Sequence, residues 1–293
     1  MESIGEWDLE TVEAAVTILV DNTVMELIPG SEIIERISKP NKNFIAEHGF
    51  AALIETGGKR ILVDTGATGI ALEHNLGLIG LSVDDIDVTF LSHGHSDHTG
   101  GIQRVRGRIM AHPDTFNKRY IESKGGVIFD LSSPEIDLES RNIELHREPL
   151  KLAGGVMTTG EIPRLHEWEE LKVFRIQRNG KMLNDRVLDD QGVIINTNKG
   201  LVIIAGCSHA GIVNTIEHAI EITGITTVYC VIGGFHLIGP GEDKIDRTIE
   251  EFRRLKIGKL IPLHCTGFEA IKRISIAFPV EFEYATTGCR MEF

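Results

Sequence analysis

The sequence has few cysteines, few aromatic residues and no long apolar run. Only four cysteines occur among 293 residues, and none forms a Cys-x-x-Cys pair, so a disulfide framework is not expected. No apolar stretch is long enough to cross a bilayer, and residues 1–21 lack the basic start and apolar core of a signal peptide. These absences predict a cytoplasmic protein with no membrane partner.

Basic residues are also scarce. Lysine and arginine number 30 against 43 aspartates and glutamates, which gives a formal net charge of −13. Such a surface repels nucleic acid unless basic residues form a stripe, and the densest basic segment, 104–108, is short. We therefore expect no nucleic-acid partner. An anionic small molecule remains a candidate partner, because a metal ion with one or two arginines can invert the charge locally.

Short runs rich in Val, Ile and Leu predict strands along much of the chain. Two pairs of runs are separated by turn sequences rich in glycine and asparagine, which predicts β-hairpins. The two halves of the chain open in this same way, which suggests an internal duplication. The hairpins are predicted at 51–55 with 60–63 and at 193–197 with 201–205, and further strands at 16–20, 88–91, 227–232 and 259–263.

Helical periodicity appears in the second half. Apolar residues recur at helical spacing from Ile212 to Ile220 and from Ile245 to Leu255, and a third helix is predicted to begin at Phe268. Helices interleaved with strands predict a layered α/β protein. The region of about 104–190 is rich in Gly, Pro and charge, so we predict an insertion or lid there, within one domain spanning 1–293.

Metal-ligating side chains are concentrated in one short segment that follows an apolar run. His93, His95, Asp97 and His98 lie within six residues of one another, on what should be a loop at a strand end. Imidazole and carboxylate are the usual ligands of Zn, Fe, Mn and Co. Glycine and serine between the candidate ligands let the backbone fold tightly around an ion. The segment therefore predicts a metal centre.

This HxHxDH pattern, followed by Thr-Gly-Gly, resembles the signature of the metallo-β-lactamase superfamily. The resemblance implies an α/β (α+β) fold, a four-layer αββα sandwich, with the site at one edge of two packed sheets. It also implies one or two divalent transition-metal ions, with Zn first and Fe, Mn or Co as alternatives. His93 and His95 would bind one ion and Asp97 and His98 the other, and Asp97 would also take part in catalysis.

Two other superfamily motifs have counterparts here. Asp64, in Ile-Leu-Val-Asp-Thr-Gly, matches an aspartate that supports the ligand loop through hydrogen bonds. His264, in Ile-Pro-Leu-His-Cys-Thr-Gly, matches the last ligand histidine, which follows a late strand.

The middle ligands depart from the common pattern. Many members have Gly-Asp after a strand, where this chain has Gly-Cys-Ser-His, so that Cys207 stands in the place of the aspartate. We favour His209 as the ligand, because Gly211 and the following helix indicate a fixed corner. Cys207 is the alternative, as a thiolate ligand or as a small buried residue. Only the polar residues 189–191 precede the strand at 193–197, which leaves the second ion open.

The remaining histidines are interpreted as structural or surface residues, or lie in the region that the pattern does not resolve. Among the former, His48 is the one that could reach the rim of the site. The structural or surface group is His48, His74, His112 and His218, and the unresolved pair is His146 and His166.

Three segments refine the resemblance to one branch of the superfamily. Residues 159–164, 206–212 and 233–237 resemble the branch commonly named for dihydropterin–ribofuranosylaminobenzene phosphate synthase, an enzyme of methanopterin biosynthesis. That activity would join a dihydropterin methyl diphosphate to an arylamine ribose phosphate and release diphosphate. The phosphorylated substrate makes Arg164 a candidate phosphate-binding residue, or else a surface arginine. His236 becomes a candidate general acid, or else a hydrogen-bonded histidine at a strand end.

Three other functions remain open. The first is a metal-dependent hydrolase such as a phosphodiesterase, which would need water alone as acceptor. The second is a di-iron redox protein, against which Cys207 and the lack of a flavin domain count. The third is a regulator that binds metal without catalysis, which the full ligand set disfavours.

Overall fold

The computed structural model describes residues 9–27, 29–37, 43–123, 125–239 and 241–293. The strands are β1 (Ala15–Val20), β2 (Ile34–Arg36), β3 (Ala51–Thr56), β4 (Lys59–Val63), β5 (Val88–Phe90), β6 (Arg108–Ala111), β7 (Lys118–Glu122), β8 (Ile128–Asp130), β9 (Ile143–Leu145), β10 (Lys151–Ala153), β11 (Val156–Thr158), β12 (Phe174–Arg178), β13 (Lys181–Asn184), β14 (Gly192–Thr197), β15 (Gly200–Ala205), β16 (Val228–Gly234), β17 (Lys259–Leu263) and β18 (Cys289–Glu292). The helices are α1 (Ile70–Leu78), α2 (Ser96–Thr99), α3 (Ile212–Thr223), α4 (Glu242–Leu255) and α5 (Phe268–Ala277).

The strands of the described residues form three sheets. The first has eight strands in the order β2-β18-β1-β3-β4-β5-β6-β9, and the second has six in the order β10-β11-β14-β15-β16-β17. The third is small, with the order β13-β12-β7-β8. Both predicted hairpins are confirmed, since β3 pairs with β4 and β14 with β15 in antiparallel register. The three predicted helices are also present.

The two large sheets repeat one pattern of strand pairing. In β1-β3-β4-β5-β6 the first two pairings are antiparallel and the next two are parallel. In β11-β14-β15-β16-β17 the same four pairings occur in the same order. This agreement supports the internal duplication that the turn sequences suggested.

Alternating side chains place one apolar core between the two large sheets and two more beneath the helices. On β15, Val202 and Ile204 face the other sheet, whereas Leu201 and Ile203 pack against helices. Helices α3, α4 and α5 cover the outer face of the second sheet, and α1 covers that of the first. The layers therefore run α1, sheet, sheet, α3–α5, which confirms the predicted αββα sandwich. No helix among the described residues is both long and apolar enough to span a bilayer.

The region of 104–190, predicted to be an insertion or lid, divides between the three sheets. Strands β6 and β9 extend the first sheet, and β10 and β11 extend the second. Among the described residues of this region, β7, β8, β12 and β13 form the small third sheet, which is separate from the two large ones. The short edge strands could not be predicted from the sequence, because a strand of three residues carries too little periodicity to detect.

Candidate metal centre

The candidate side chains gather at one edge of the two large sheets. That edge holds the carboxyl ends of the parallel strands, where ligand sites form in α/β proteins. Each half of the fold contributes to it. The first half contributes Asp64 after β4 and His93, His95, Asp97 and His98 after β5, and the second contributes Cys207 and His209 after β15, His236 after β16 and His264 after β17.

Four strand ends at this edge have backbone that is unfavourable for residues other than glycine. Asp64, Ser208, His236 and His264 have φ values of 60°, 57°, 46° and 48°. Such left-handed positions cost about 1–3 kcal/mol each and persist where the surroundings enforce them, often at functional sites. The sharp turns direct neighbouring side chains toward one point, an arrangement with no signature in the amino-acid pattern.

Three histidines form the first donor group. The Nε2 of His93 lies 3.1 Å from the Nδ1 of His95, and the His209 ring lies 4.7 and 4.6 Å from their ring centroids. Burial lowers the pKa of all three, which keeps the imidazoles neutral. Among the described residues, neither nitrogen of His209 has a hydrogen-bond partner. Buried neutral imidazoles without partners fit a metal ion, which would satisfy their lone pairs.

Asp97, His98, Cys207 and His264 form the second donor group. The Nε2 of His98 lies 3.1 Å from the Sγ of Cys207 and 3.2 Å from the Nε2 of His264. The Oδ2 of Asp97 lies 3.2 Å from that same His264 nitrogen. Nitrogens bound at about 2.0–2.1 Å to a tetrahedral zinc ion would lie about 3.3 Å apart. The spacing of the donors therefore fits a shared ion.

Asp64 fixes the orientation of the first-half histidines. Its carboxylate accepts hydrogen bonds from the Ser92 N–H (2.7 Å) and hydroxyl (2.8 Å) and from the His98 Nδ1–H (2.7 Å). Because the Ser92 hydroxyl donates to Asp64, it accepts from the Nδ1–H of His93 at 2.9 Å. Both rings therefore turn their Nε2 atoms toward the donor groups. Asp64 thus contacts the segment that carries the candidate ligands, and its support of a metal site stays a prediction.

Burial and neighbouring charges shift the pKa values of the side chains in the second donor group. Burial lowers the pKa of His98, but Asp64 and Asp97 outweigh it and raise that pKa to about 9. Although burial raises the pKa of Asp97, His98 and His264 hold it well below its usual value. Burial raises the pKa of Cys207 well above the ordinary thiol value. A bound cation would therefore be needed to hold this sulfur as a thiolate.

His264 is held by two residues that the sequence did not single out. The Oδ1 of Asp21 accepts from the His264 N–H at 2.9 Å. Asn22 donates through Nδ2 to the His264 carbonyl (3.1 Å), and its Oδ1 lies 3.1 Å from the ring Nδ1. The signal was present but unspecific, since Asp21-Asn22 is simply the first polar pair after the apolar strand β1.

The polar cluster at 189–191 links the two ligand loops. The Asp189 carboxylate accepts from the Gly94 N–H at 2.8 Å and pairs with buried Arg119. The Asp190 carboxylate accepts from the Ala210 N–H at 2.9 Å, next to His209. Burial raises the pKa of Asp190 to about 6. The cluster thus fixes the backbone on both sides of the site.

Phe174 connects the third sheet to the first donor group. Its ring centroid lies 5.2 Å from that of His95, 4.8 Å from that of His209 and 5.8 Å from that of His236. The side chain is buried, with 4% of its surface exposed. Sequence analysis missed this residue, because one aromatic in a poorly patterned region gives no signal of its location.

Two further histidines lie beside the donor groups. The ring centroid of His236 is 4.3 Å from that of His209, and its Nδ1 is buried with no hydrogen-bond partner in the described part of the chain. The Nε2 of His48 lies 3.4 Å from the Oδ2 of Asp97, and its side chain is 75% exposed. His48 therefore stands at the mouth of the site, as the sequence analysis allowed.

Arg164 does not have the free fork of donors that a phosphate-binding role requires. Its guanidinium donates to the backbone carbonyls of Ile162, Arg186 and Val187. Val187 has φ of 49°, a rare value for a β-branched residue. The predicted phosphate contact is thus corrected. The arginine holds the strained backbone just before Asp189 and Asp190, and a motif cannot show that its two terminal nitrogens already donate to backbone carbonyls.

The other histidines form hydrogen bonds away from the donor groups. The Nε2 of His74 lies 3.0 Å from the Asn43 carbonyl, and that of His218 lies 3.0 Å from the Thr159 carbonyl. His112 lies 2.8 Å from Glu161. The remaining two, His146 and His166, contact the Glu148 carbonyl and the Glu217 carboxylate.

Comparison with known proteins places this architecture among related sequences. The family model described as "Metallo-beta-lactamase superfamily" matches residues 45–218. An uncharacterized protein of Methanocaldococcus jannaschii is 35% identical over 266 residues, which cover 89% of this chain and 93% of that protein. The 7,8-dihydropterin-6-methyl-4-(beta-D-ribofuranosyl)-aminobenzene-5'-phosphate synthase of the same organism is 34% identical over 272 residues, which cover 86% and 92%.

Solved structures share the fold. A metal-dependent hydrolase of the beta-lactamase superfamily has a TM-score of 0.78 at 24% identity, covering 96% of this chain and 99% of that one. A metallo-beta-lactamase fold protein from Bacillus subtilis has a TM-score of 0.54 at 15% identity, covering 96% and 100%. At these identities the likeness describes the fold alone.

Proposed function

Because the chain belongs to the metallo-β-lactamase superfamily, in the branch of the dihydropterin synthase relative, we propose that it is a metal-dependent enzyme acting on a phosphorylated small molecule. The observation that carries the proposal is the convergence of seven donor side chains from both halves of the fold at one sheet edge. The activity best supported is that of the synthase relative, in which a dihydropterin and an arylamine ribose phosphate are joined.

The two donor groups divide the proposed ligands between two ions. His93, His95 and His209 would hold one ion. Asp97, His98, Cys207 and His264 would hold the other. A set that mixes imidazole, carboxylate and thiolate suits zinc best among the candidate metals. When bound, such ions polarise phosphoryl oxygens and lower the pKa of water.

His236 is the proposed proton donor. It lies beside the first donor group, with its ring 4.3 Å from that of His209, and it is more accessible than the ligand histidines. A histidine in this position can protonate the oxygen of a departing diphosphate. Lys244 contacts the His236 carbonyl through Nζ at 3.4 Å, which helps to hold the turn that presents the ring.

The third sheet is the proposed lid. Phe174 seals the side of the first donor group against water, and a drier site strengthens the interaction between charged substrate oxygens and the chain's donors. In this proposal the lid of the predicted 104–190 region consists of the strands β7, β8, β12 and β13.

The test is turnover with and without an acceptor. Zinc-loaded protein is incubated with a dihydropterin methyl diphosphate, with or without an arylamine ribose phosphate, and both diphosphate release and the joined product are measured. We expect release to depend on the acceptor. Release with water alone would indicate a hydrolase instead, and no turnover by fully loaded protein under either condition would refute the proposal. His236→Gln should keep its zinc and lose most turnover.

A further inference from the structure

Two thiols meet beside the second donor group. Cys207 follows β15 and Cys265 follows β17, so the strand β16 lies between them in the sheet. The Cys265 Sγ–H donates to the Cys207 carbonyl at 3.4 Å. The two sulfurs and a ring nitrogen of His264 all lie within 4.8 Å of one another. The cysteines of two non-adjacent strands are therefore neighbours.

Gly234, at the end of the middle strand, makes this approach possible. A Cβ on Gly234 would lie 2.5 Å from the Cys265 Sγ and 3.3 Å from the Cys207 Cα. Any other residue at this position would collide with the thiol. The missing side chain thus leaves the space across which the sulfurs face each other.

Neither sulfur is equivalent to the other cysteines of the chain. Cys230 and Cys289 are fully buried in the core between the two large sheets, whereas Cys265 is partly exposed. Cys207 is buried, and its Sγ lies 3.1 Å from the Nε2 of His98. Cys265 therefore differs from the core thiols in lying in a partly exposed residue, and Cys207 differs from them as a proposed metal ligand.

We infer that Cys207 and Cys265 form an oxidation site, at which a peroxide joins the two sulfurs in a disulfide and withdraws Cys207 from the second ion. The inference rests on the proposed ligand role of Cys207. Only a thiolate binds the metal well. Formation of the disulfide therefore removes the Cys207 thiolate from the four donors of the second group. A dithiol reductant restores that donor.

The chemistry balances with hydrogen peroxide as the oxidant. The sulfur of Cys265, which belongs to the partly exposed residue of the pair, attacks a peroxide oxygen, which breaks the O–O bond and yields a sulfenic acid and water. The thiolate sulfur of Cys207 then attacks the sulfenic sulfur and forms the S–S bond, and the departing hydroxide takes a proton from solvent and leaves as a second water. One thiol, one thiolate, one proton and one peroxide thus become one disulfide and two waters.

The test follows thiols and metal rather than turnover. Reduced, zinc-loaded protein is treated with hydrogen peroxide, free thiols are alkylated, peptides are mapped by mass spectrometry, and released zinc is followed with a chromogenic chelator. We expect a peptide that links Cys207 to Cys265, together with zinc release that a dithiol reverses. In Cys265→Ser we expect the same zinc content before oxidation and release slowed by about tenfold or more.

Controls separate this inference from the proposed function. Cys230→Ala, which changes a core thiol, should behave as the parent protein does, and circular dichroism verifies that each variant is folded. If the parent protein binds zinc but no linked peptide forms, the inference is wrong and the metal proposal stands. If Cys265→Ser binds less zinc before oxidation, Cys265 is itself a ligand and the inference is wrong. If reduced parent protein binds no zinc, the proposed function fails, whether or not a disulfide forms.

Discussion

The two halves of the fold repeat one strand pattern but supply their donors differently. The first half places four donors in one six-residue segment after β5, which continues into α2. The second half places its donors Cys207 and His209 after β15 and His264 after β17, with His236 beside them after β16. A dense motif can be read from the sequence, whereas a site assembled from separate strand ends becomes visible only when the topology brings those ends together.

The halves also differ in how the donors are held. In the first half, the Asp64 carboxylate contacts the His98 ring directly and the His93 ring through Ser92. In the second half, the carboxylates of Asp21 and Asp190 accept from backbone N–H groups of His264 and Ala210, and the ring contact of His264 is to the neutral amide of Asn22. Direct contacts fix ring rotation and tautomer, whereas backbone contacts fix only the path of the loop. The first half should therefore be the more sensitive to loss of a supporting carboxylate.

The largest expected effect is that of removing a donor from the dense loop. His95→Ala should lose most of the bound transition metal, because the first donor group would keep only two of its three imidazoles. Metal content by inductively coupled plasma mass spectrometry measures this. His74→Ala, which removes an exposed histidine from α1, serves as the control. Full metal retention in His95→Ala would show that His95 is not a metal ligand. The first half would then not supply four clustered donors.

Removal of Phe174 should have the next largest effect, on folding stability. Phe174→Ala leaves a cavity against His95 and His209, so the free energy of unfolding should fall by about 3–5 kcal/mol. Phe129→Ala, on the same small sheet but 55% exposed, should change it by less than about 0.5 kcal/mol. Urea unfolding measures both. Equal effects in the two variants would mean that the third sheet is not anchored through Phe174.

The free energy of unfolding should depend on pH through the titration of Glu169. Its carboxylate accepts hydrogen bonds from the N–H groups of Val213 and Asn214 at the start of α3. Burial raises its pKa from 4.5 to about 7. Because this pKa is higher in the folded than in the unfolded protein, the contribution of Glu169 to the free energy of unfolding is full below about pH 4.5. It is lost as the pH rises through about 7, which lowers the free energy of unfolding by up to about 3 kcal/mol. Glu169→Gln should flatten this decrease, whereas the exposed Glu167→Gln should leave it. An unchanged profile in Glu169→Gln would contradict the assignment.

The smallest expected effect compares the two ways in which carboxylates hold the donors of the two halves. Asp64→Asn should weaken zinc affinity by about 10–100-fold, because it disturbs a carboxylate in contact with a donor ring. Asp190→Asn should weaken it by less than about tenfold, because it alters a single hydrogen bond to backbone. Competition with a chelator of known affinity measures both. The reverse order would show that the backbone path, rather than ring orientation, limits metal binding.

The sequence predicted the parts of this molecule whose causes are local. Hairpins follow from turn residues between alternating runs, and the loop around His93 follows from residue types and spacing alone. It did not predict how close Cys207 and His209 would lie to the histidines of the first half, since that depends on the path of the chain through a left-handed turn at Ser208. It misjudged Arg164 because a guanidinium's partners are set by tertiary contacts. Phe174 was missed because a third sheet had to form before that ring could reach the site.

The distance along the chain between the partners of the centre bears on when it can form. Asp21 holds His264 across 243 positions, and β1 pairs with β18, so that Ala15 lies opposite Glu292. Contacts of such long sequence separation form late and slow folding. During synthesis the dense histidine loop leaves the ribosome well before its partners. The segment from His93 to His98 is therefore synthesised before the strands that complete the candidate metal centre.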